Sequence, residues 1–382
     1  MSCRLVLITE IIAPYRIPVF NALAQQPGID LHVVFLAETD PGLRDWHIYR
    51  DEISFSYEVL PSWRSRVRSQ NLLLNRGLIS ALSRTAPDVI VCGGYNYVAS
   101  WQALSWAHRN QVPFLLWIES TARDRRHGSA HIEFLKRRFV EGCDGFIVPG
   151  ESSREYVRSY GISDGRISTA PNAVANDIFE RNARNAIANA ERERQRFGLP
   201  QRFLLFAGRL VREKGVHDLI EAYESLDAAT KSELALIMVG DGPLRHELEA
   251  KAQTNPAIQV RKFVQRDELA KYYALAEMFI LPTHTDTWGL VVNEAMACGL
   301  PVIVSSAAGC VADLVKDGWN GFVVEPGQAS QVSLAISRLA HDSELRRTMG
   351  SRSREIIAQY SPQNCARGIS VAALDFAAVH HV

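Results

Sequence analysis

The feature that most constrains the fold is a recurrent pairing of a short, continuous apolar run with a longer helical pattern. The first half of the chain contains five such runs, RLVLITE, DLHVVFLAE, PDVIVCGG, VPFLLWIES and CDGFIVPG, and helical segments such as SWQALSWAHRN and ESSREYVRSYG follow some of them. Strands that are buried on both faces read as continuous apolar runs, whereas half-exposed strands alternate. The pattern therefore predicts an α/β domain with a parallel sheet covered by helices on both faces.

The same pattern restarts after a charged stretch. ANDIFERNARNAIANAERERQRFG has few large apolar residues and favours an exposed linker or a surface helix. Beyond it lie the runs RFLLFAG, LALIMVG, MFILPT, PVIVS and GFVVEPG. A chain of 382 residues is long enough for two domains. We predict two doubly wound, Rossmann-like domains at 1–175 and 201–360 that face a cleft, a linker at 176–200, and a C-terminal helix at 361–382 as a helical tail.

Composition excludes several classes of protein. Lysine plus arginine equal aspartate plus glutamate at 42 each, so no overall field favours nucleic acid. The six cysteines include no C-x-x-C, which argues against zinc or a disulfide framework and fits a cytoplasmic protein. No run approaches the roughly 18–20 apolar residues of a spanning helix, so we expect peripheral membrane contact at most. No G-x-G-x-x-G follows a strand, which disfavours a dehydrogenase.

One stretch in the second half, THTDTWGLVVNEAMACGLPVIVS (283–305), places two carboxylates around a strand-to-helix turn. A helix that begins near Gly289 would offer backbone N–H groups of Gly289 and Leu290 to a phosphate. Asp286 in the loop and Glu294 in the helix would then address opposite ends of the ligand, a sugar and a ribose. Taken alone, the two carboxylates have simpler explanations: Asp286 could be an ordinary loop or N-cap residue, and Glu294 a solvent-exposed helix residue.

A second stretch, FAGRLVREKGVHDL, places cations at another strand end. Arg209 and Lys214 lie between Gly208 and Gly215, where a helix is expected to begin. Two cations beside a helix amino terminus suit a diphosphate. Taken singly, Arg209 and Lys214 could each also be a solvated surface residue.

Together, GRLVREKG, VGDGPLR and DTWGLVVNEAMACGLPVIVS resemble the C-terminal domain of retaining, GT-B-fold glycosyltransferases of family 4, and PNAV extends the resemblance to the end of the first domain. The resemblance implies a nucleotide-sugar donor, with UDP-sugar favoured, and no separate cofactor. Its diphosphate would be held by Arg209, Lys214 and the Gly289 and Leu290 amides, beside Gly208. Glu294 would bind the ribose, and Asp286, where relatives usually carry glutamate, would bind the transferred sugar.

The first domain departs from the pattern of these relatives. Pro14, Tyr15 and Arg16 stand where many have a glycine-rich loop, and Glu119 occupies the slot of a histidine near the donor sugar. The resemblance implies that Glu119 contacts a sugar or the acceptor, although a surface or helix-capping role would suit this residue equally well. It also places Asn172 of PNAV among the donor-binding residues. No Asp-x-Asp occurs, so no metal is expected.

The acceptor side is expected to be cationic and partly apolar. Between Trp63 and Phe139 lie many basic residues beside apolar ones: Arg64, Arg66, Arg68, Leu72, Leu73, Leu74, Arg123, Arg125, Arg126, Lys136, Arg137 and Arg138. One hypothesis is a surface that binds anionic lipid on the inner face of the membrane or receives a lipid diphosphate acceptor. Solvated helix faces are the alternative.

The resemblance predicts an enzyme that transfers a sugar from a nucleotide donor to a glycan or lipid-linked glycan, as in surface-polysaccharide synthesis. Two other functions stay open. A non-hydrolysing nucleotide-sugar epimerase has a related two-domain fold, and a non-catalytic nucleotide-sugar-binding protein would fit the absent histidine and glycine-rich loop.

Overall fold

The computed structural model describes residues 2–40, 46–67, 70–124 and 130–380, and the chain divides into two compact units. The first comprises Met1–Ala173 with Pro362–Val382, and the second comprises Val174–Ser361. Within the described ranges, every helix is too short or too polar to cross a membrane.

The first unit is a parallel sheet with helices between its strands. Its elements are β1 (Cys3–Thr9), α1 (Ile17–Ala24), β2 (Ile29–Phe35), β3 (Ser56–Val59), β4 (Ser62–Val67), β5 (Gln70–Asn75), α2 (Leu78–Thr85), β6 (Val89–Gly93), α3 (Val98–Asn110), β7 (Phe114–Trp117), α4 (Ala130–Gly142), β8 (Gly145–Val148), α5 (Glu151–Arg158) and β9 (Ile167–Thr169). Seven strands pair in the order β3-β2-β1-β6-β7-β8-β9, and β4 with β5 forms a separate antiparallel hairpin.

The second unit repeats this architecture with six parallel strands in the order β12-β11-β10-β13-β14-β15. Its elements are α6 (Asn176–Ala188), α7 (Ala190–Phe197), β10 (Phe203–Ala207), α8 (Val216–Glu224), α9 (Ala228–Glu233), β11 (Ala235–Val239), α10 (Arg245–Thr254), β12 (Ile258–Arg261), α11 (Arg266–Leu275), β13 (Met278–Leu281), α12 (Leu290–Ala297), β14 (Val302–Ser305), α13 (Val311–Leu314), β15 (Gly321–Val324), α14 (Ala329–His341) and α15 (Ser343–Ile357).

Burial explains the continuous apolar runs. All five residues of β10 and all four of β13 are buried, because helices cover both faces of the sheet. The first unit has a separate apolar cluster for each face of its sheet. Both units are therefore Rossmann-like α/β structures, as the sequence predicts.

The segment for which we predicted a linker, 176–200, instead begins the second unit. Most of it forms α6 and α7, and α6 packs against α11. Phe179, Ala183 and Ala186 recur at helical spacing and are buried, so α6 has a narrow apolar stripe that overall composition conceals.

The last helix, α16 (Pro362–His380), belongs to the first unit and packs against α1 and the sheet. The approach is close: a Cβ on Gly145 of β8 would lie 2.4 Å from Phe376, and a Cβ on Gly368 would lie 2.3 Å from the Thr169 carbonyl oxygen. The helical tail is thus part of the core of the first unit.

In the second unit, β10 pairs with β11 on one side and β13 on the other. The connection that leaves β10 leads to β11, and the one that leaves β13 leads to β14 on the opposite side, so the strand order reverses between β10 and β13. Ligands of doubly wound sheets bind at such a point, beyond the carboxyl ends of the strands. The loops that follow β10 and β13 are therefore where a ligand of this unit is expected.

Candidate functional site: two loops at a strand switch point

The loop after β10 carries the predicted cations. Lys214 ends a short 3-10 turn, Arg212–Lys214, directly before α8. Gly215 caps α8 with φ +66°, and a Cβ there would lie 2.0 Å from the carbonyl oxygen of Pro282. Only glycine therefore allows this loop to touch the loop after β13.

The loop after β13 is tied to the first loop by three more contacts. The Thr283 hydroxyl donates to the Glu213 carbonyl at 2.7 Å, and the His284 backbone N–H donates to the same carbonyl at 2.8 Å. The His284 ring Nε2 lies 2.7 Å from Asp218 in the first turn of α8. The two loops therefore act as one assembly, and sequence patterns gave no signal for the His284 and Asp218 pair.

Lys214 and Asp286 meet in this assembly. The lysine Nζ lies 2.5 Å from the aspartate Oδ2, and both side chains are mostly buried. The sequence predicts the lysine at a diphosphate and the aspartate at a sugar, and the structure brings their charged groups into contact. A sugar attached to a diphosphate is a ligand for which adjacent positive and negative groups are suited.

Helix α12 begins directly after this loop. Gly289 is its N-cap with φ +96°, and Leu290 is its first residue, so the amides of these two residues have no acceptor within the helix. The Val292 N–H, by contrast, donates to the Gly289 carbonyl at 2.9 Å. The partial positive charge of this helix end adds to that of Lys214. The anion site predicted at Gly289 and Leu290 therefore falls at the amino terminus of α12.

Glu294 lies on α12, partly buried. The hydroxyl of Tyr273, on α11, donates to its Oε2 at 2.9 Å. Burial raises the pKa of Glu294 from 4.5 to about 7, and the Tyr273 hydrogen bond opposes part of that rise. Tyr273 is a hydrogen-bond partner of Glu294 that the sequence did not reveal, because it comes from a different helix.

Arg209 and Gly208 complete the second-unit group. Arg209 is exposed, and its side chain makes no hydrogen bond or ion pair with the described part of the chain. Gly208 has φ +153°, a backbone conformation that favours glycine, and its N–H donates to the Val239 carbonyl at 3.0 Å. The exposed guanidinium is therefore free to bind a ligand. The described residues contain no cluster of three or more His, Cys, Asp or Glu that could hold a metal ion.

Glu119 and Asn172 lie in the first unit, and the structure joins them through Arg16. The guanidinium donates from Nη2 to Glu119 Oε1 and from Nη1 to Asn172 Oδ1, the latter at 3.3 Å. The sequence comparison marked Arg16 and Glu119 as two separate departures from the family pattern. The structure shows that they form one ion pair.

The predicted basic surface is partly corrected by the structure. Arg64 faces inward and pairs with Asp40 at 2.7 Å and with Glu10 at 3.4 Å, so its charge is compensated within the first unit. Leu73, its cross-strand neighbour, is buried in the core. Side chains alternate across a hairpin, so Trp63 and Leu74 lie on the opposite face and are exposed.

The other predicted basic residues divide into three groups. Lys136 pairs with Glu133 and Arg137 with Glu141, both on α4. Arg123 and Arg138 are exposed. Arg68, Arg125, Arg126 and the side chain of Arg66 lie outside the described residues.

Comparison with known sequences agrees with both units. Residues 20–177 match the family described as Glycosyltransferase Family 4, and residues 188–356 match Glycosyl transferases group 1. A D-inositol 3-phosphate glycosyltransferase from Xylanimonas cellulosilytica is 35% identical over 46% of this chain and 43% of its own length. The capsular polysaccharide biosynthesis glycosyltransferase CapM of Staphylococcus aureus is 29% identical over 39% of this chain and 40% of its own. These matches span less than half of each relative.

Comparison of structures covers nearly the whole chain. HepE from Anabaena, solved in complex with UDP, superimposes with a TM-score of 0.75 over 98% of this chain and 100% of its own, at 18% identity. That likeness establishes the GT-B fold of two Rossmann-like domains. Because the two family matches follow each other and together cover most of the sequence, the chain belongs to glycosyltransferase family 4.

Proposed function

We propose that the protein is a retaining glycosyltransferase that moves a sugar from a nucleoside diphosphate to a glycan or lipid-linked glycan. The observation that carries the proposal is the contact of Lys214 with Asp286 where β10 and β13 end, beside the amino terminus of α12. In this proposal the second unit binds the nucleotide sugar and the first unit, with Glu119, binds the acceptor side.

Each group at the loops has a role in the proposed reaction. Lys214, Arg209 and the Gly289 and Leu290 amides hold the diphosphate and stabilise the charge that grows on it as the sugar leaves. The bond from the anomeric carbon to the phosphate oxygen breaks, and a bond to the acceptor oxygen forms on the same face. The acceptor proton passes to the departing phosphate, so no separate base is required.

The remaining residues bind the two ends of the donor. Asp286 accepts hydrogen bonds from hydroxyls of the transferred sugar. Glu294 accepts from the ribose, Gly208 leaves room for the diphosphate, and Asn172 supports the donor side through its contact with Arg16. A ribose that donates to Glu294 would favour the ionised carboxylate and so lower the pKa that burial raises.

UDP is the nucleotide that we favour. HepE, which shares the fold, is solved with UDP and with UDP-glucose. CapM, a relative in sequence, is named for capsular polysaccharide biosynthesis, which supports a glycan acceptor and a place in polysaccharide or glycoconjugate synthesis.

The alternatives differ in what they do with the donor. A nucleotide-sugar-binding protein would bind the donor and leave it intact, and an epimerase would convert the donor sugar without an acceptor. Transfer or slow hydrolysis of the donor, lost in Glu294→Ala and Lys214→Ala, would exclude both.

A thermal-shift panel of UDP, GDP, ADP, TDP and CMP, with and without Mg²⁺, tests the nucleotide site. A ligand at about a hundred times its dissociation constant should add about 2.7 kcal/mol to the free energy of unfolding. We expect one nucleotide, with UDP favoured, to raise the melting temperature of the wild-type protein but not that of Lys214→Ala. Lys251→Ala, an exposed lysine on α10, is the matched control and should respond like wild type. No response to any nucleotide would contradict the proposed function.

We also propose peripheral binding to an anionic membrane on its inner face, through α4. Phe134 and Leu135 of α4 are 61% and 53% exposed, and Arg138 is exposed on the same helix. Apolar side chains beside a cation suit an anionic lipid surface.

Sedimentation with vesicles of anionic phospholipid tests the membrane proposal. Phe134→Ser with Leu135→Ser should reduce the bound fraction severalfold at constant salt, because both side chains would insert among the lipids. Leu334→Ser, at an equally exposed leucine (65%) on α14, is the control. Equal sedimentation of all three proteins would contradict the proposal.

A further inference from the structure

The carboxyl edge of the first-unit sheet carries an arginine that is held on three sides. Arg16 directly precedes α1, and its guanidinium carbon lies 4.0 Å from the ring centroid of Trp117, the last residue of β7. Its Nη2 donates to Glu119 and its Nη1 donates to Asn172. Arg16 therefore joins residues that follow three different strands, β1, β7 and β9.

The strand between β1 and β7 leaves space at the same edge. Strand β6 pairs with both of them and ends at Gly93, which Gly94 follows with φ +105°. A Cβ on Gly94 would meet no atom within 4 Å. No side chain of these two residues fills the space beyond β6, so a ligand can approach the backbone there.

The two members of the ion pair differ in accessibility. The Arg16 side chain is 13% exposed, whereas that of Glu119 is 29% exposed. The arginine bond occupies Oε1 of Glu119, and Oε2 makes no hydrogen bond with the described residues. A ligand at this edge would therefore meet a carboxylate oxygen, with the guanidinium beneath it.

Charge decides which ligand group fits. A carboxylate paired with a guanidinium is ionised and only accepts hydrogen bonds. It suits a hydroxyl or an amino group and repels a phosphate or a second carboxylate.

We propose that Arg16 is a positioning residue that holds Glu119 oriented to accept a hydrogen bond from a hydroxyl or amino group of a sugar, and that the pair excludes anionic sugars from this position. The presence of a sugar substrate rests on the proposed function. The structure also identifies Arg16 as the partner of Glu119, which could not be inferred from the sequence.

Two binding assays test this inference and separate the two sources of the sugar. A glycan array that holds neutral, amino and uronic-acid sugars probes the acceptor. The ratio of UDP-glucose to UDP affinity, measured by calorimetry, probes the donor sugar. In one of these two assays, Glu119→Gln should lower the affinity for the sugar about tenfold, because one hydrogen bond to a charged group is lost.

Variants of Arg16 and the variant Glu119→Ala distinguish a positioning role from a purely structural one. Arg16→Met should match the loss of Glu119→Gln, and Arg16→Lys should restore part of it because the positive charge stays. Glu119→Ala should uncover Arg16, so binding should shift from neutral toward uronic-acid glycans. Arg84→Ala, which removes another Arg–Glu pair of the first unit (2.7 Å to Glu58), should leave both assays unchanged.

Two results would overturn the inference: wild-type preference for acidic glycans, or unchanged binding in Glu119→Gln and Arg16→Met in both assays. Folding of each variant is checked by circular dichroism, because the variants lie in the first unit whereas the UDP-induced thermal shift depends on residues of the second. Loss of that shift in wild type would instead contradict the proposed function itself.

Discussion

Asp286→Asn is expected to bind UDP about tenfold more tightly than wild type while it transfers sugar roughly a hundredfold more slowly. In the structure, the Asp286 carboxylate lies 2.5 Å from Lys214 Nζ and compensates its charge. An amide of nearly the same shape would leave the lysine uncompensated and more attractive to a diphosphate. The same change weakens the hydrogen bonds that Asp286 is proposed to make to the sugar, so binding of the nucleotide and turnover of the donor should move in opposite directions.

Calorimetry with UDP and steady-state turnover of the nucleotide sugar measure these two effects separately. Asp267→Asn, an exposed aspartate on α11, should change neither quantity. Equal UDP affinity in wild type and Asp286→Asn would show that the ion pair does not restrain Lys214. A parallel loss of UDP affinity and turnover would show that Asp286 acts mainly by supporting the loop.

Glu294→Gln is expected to stabilise the protein at pH 8.5 and to leave its stability at pH 5 nearly unchanged. The pKa of Glu294 is about 7 in the folded protein and 4.5 as the ordinary value. The folded state therefore holds the proton more tightly, and the stability that this contributes is present below pH 4.5 and is lost as the pH rises through 7. A difference of this size corresponds to roughly 3 kcal/mol at most, so a gain of about 2 kcal/mol at pH 8.5 is expected.

The measurement is the melting temperature of variant and wild type at both pH values without ligand. Tyr273 and Cys298 are the titratable groups that interact with Glu294, and burial raises the pKa of both, so neither thiol nor phenol should ionise in this range. Glu355→Gln, at an exposed position of α15, is the control and should show no dependence on pH. An equal shift at pH 5 and pH 8.5 would mean that burial does not raise the pKa of this carboxyl.

Much of the second unit could be predicted from the sequence because its signals are local. Continuous apolar runs mark β10 and β13, and glycine marks both ends of the helix that contains Glu294. The contacts between the loops are not local. Lys214 and Asp286 are 72 positions apart, and their meeting depends on β13 pairing directly with β10, an order that apolar periodicity does not specify.

In the first unit, prediction was weaker for the same reason. The sequence shows Arg64 as one of many cations, and only the fold of the β4 and β5 hairpin turns it inward onto Asp40 and Glu10. Arg16 and Glu119 each departed from the family pattern, and their pairing across 103 positions required the strand order β1-β6-β7.

The return of α16 to the first unit has a consequence for how the chain is made. Its buried residues, among them Ile369 and Ala373, complete the apolar face that α1 and Trp117 share. During synthesis the amino-terminal unit must wait for residues near 380 to leave the ribosome, while the second unit has its whole core once residue 361 has emerged. The unit that is encoded first is therefore the unit that finishes folding last, and a fragment cut at residue 175 would lack part of its own interior.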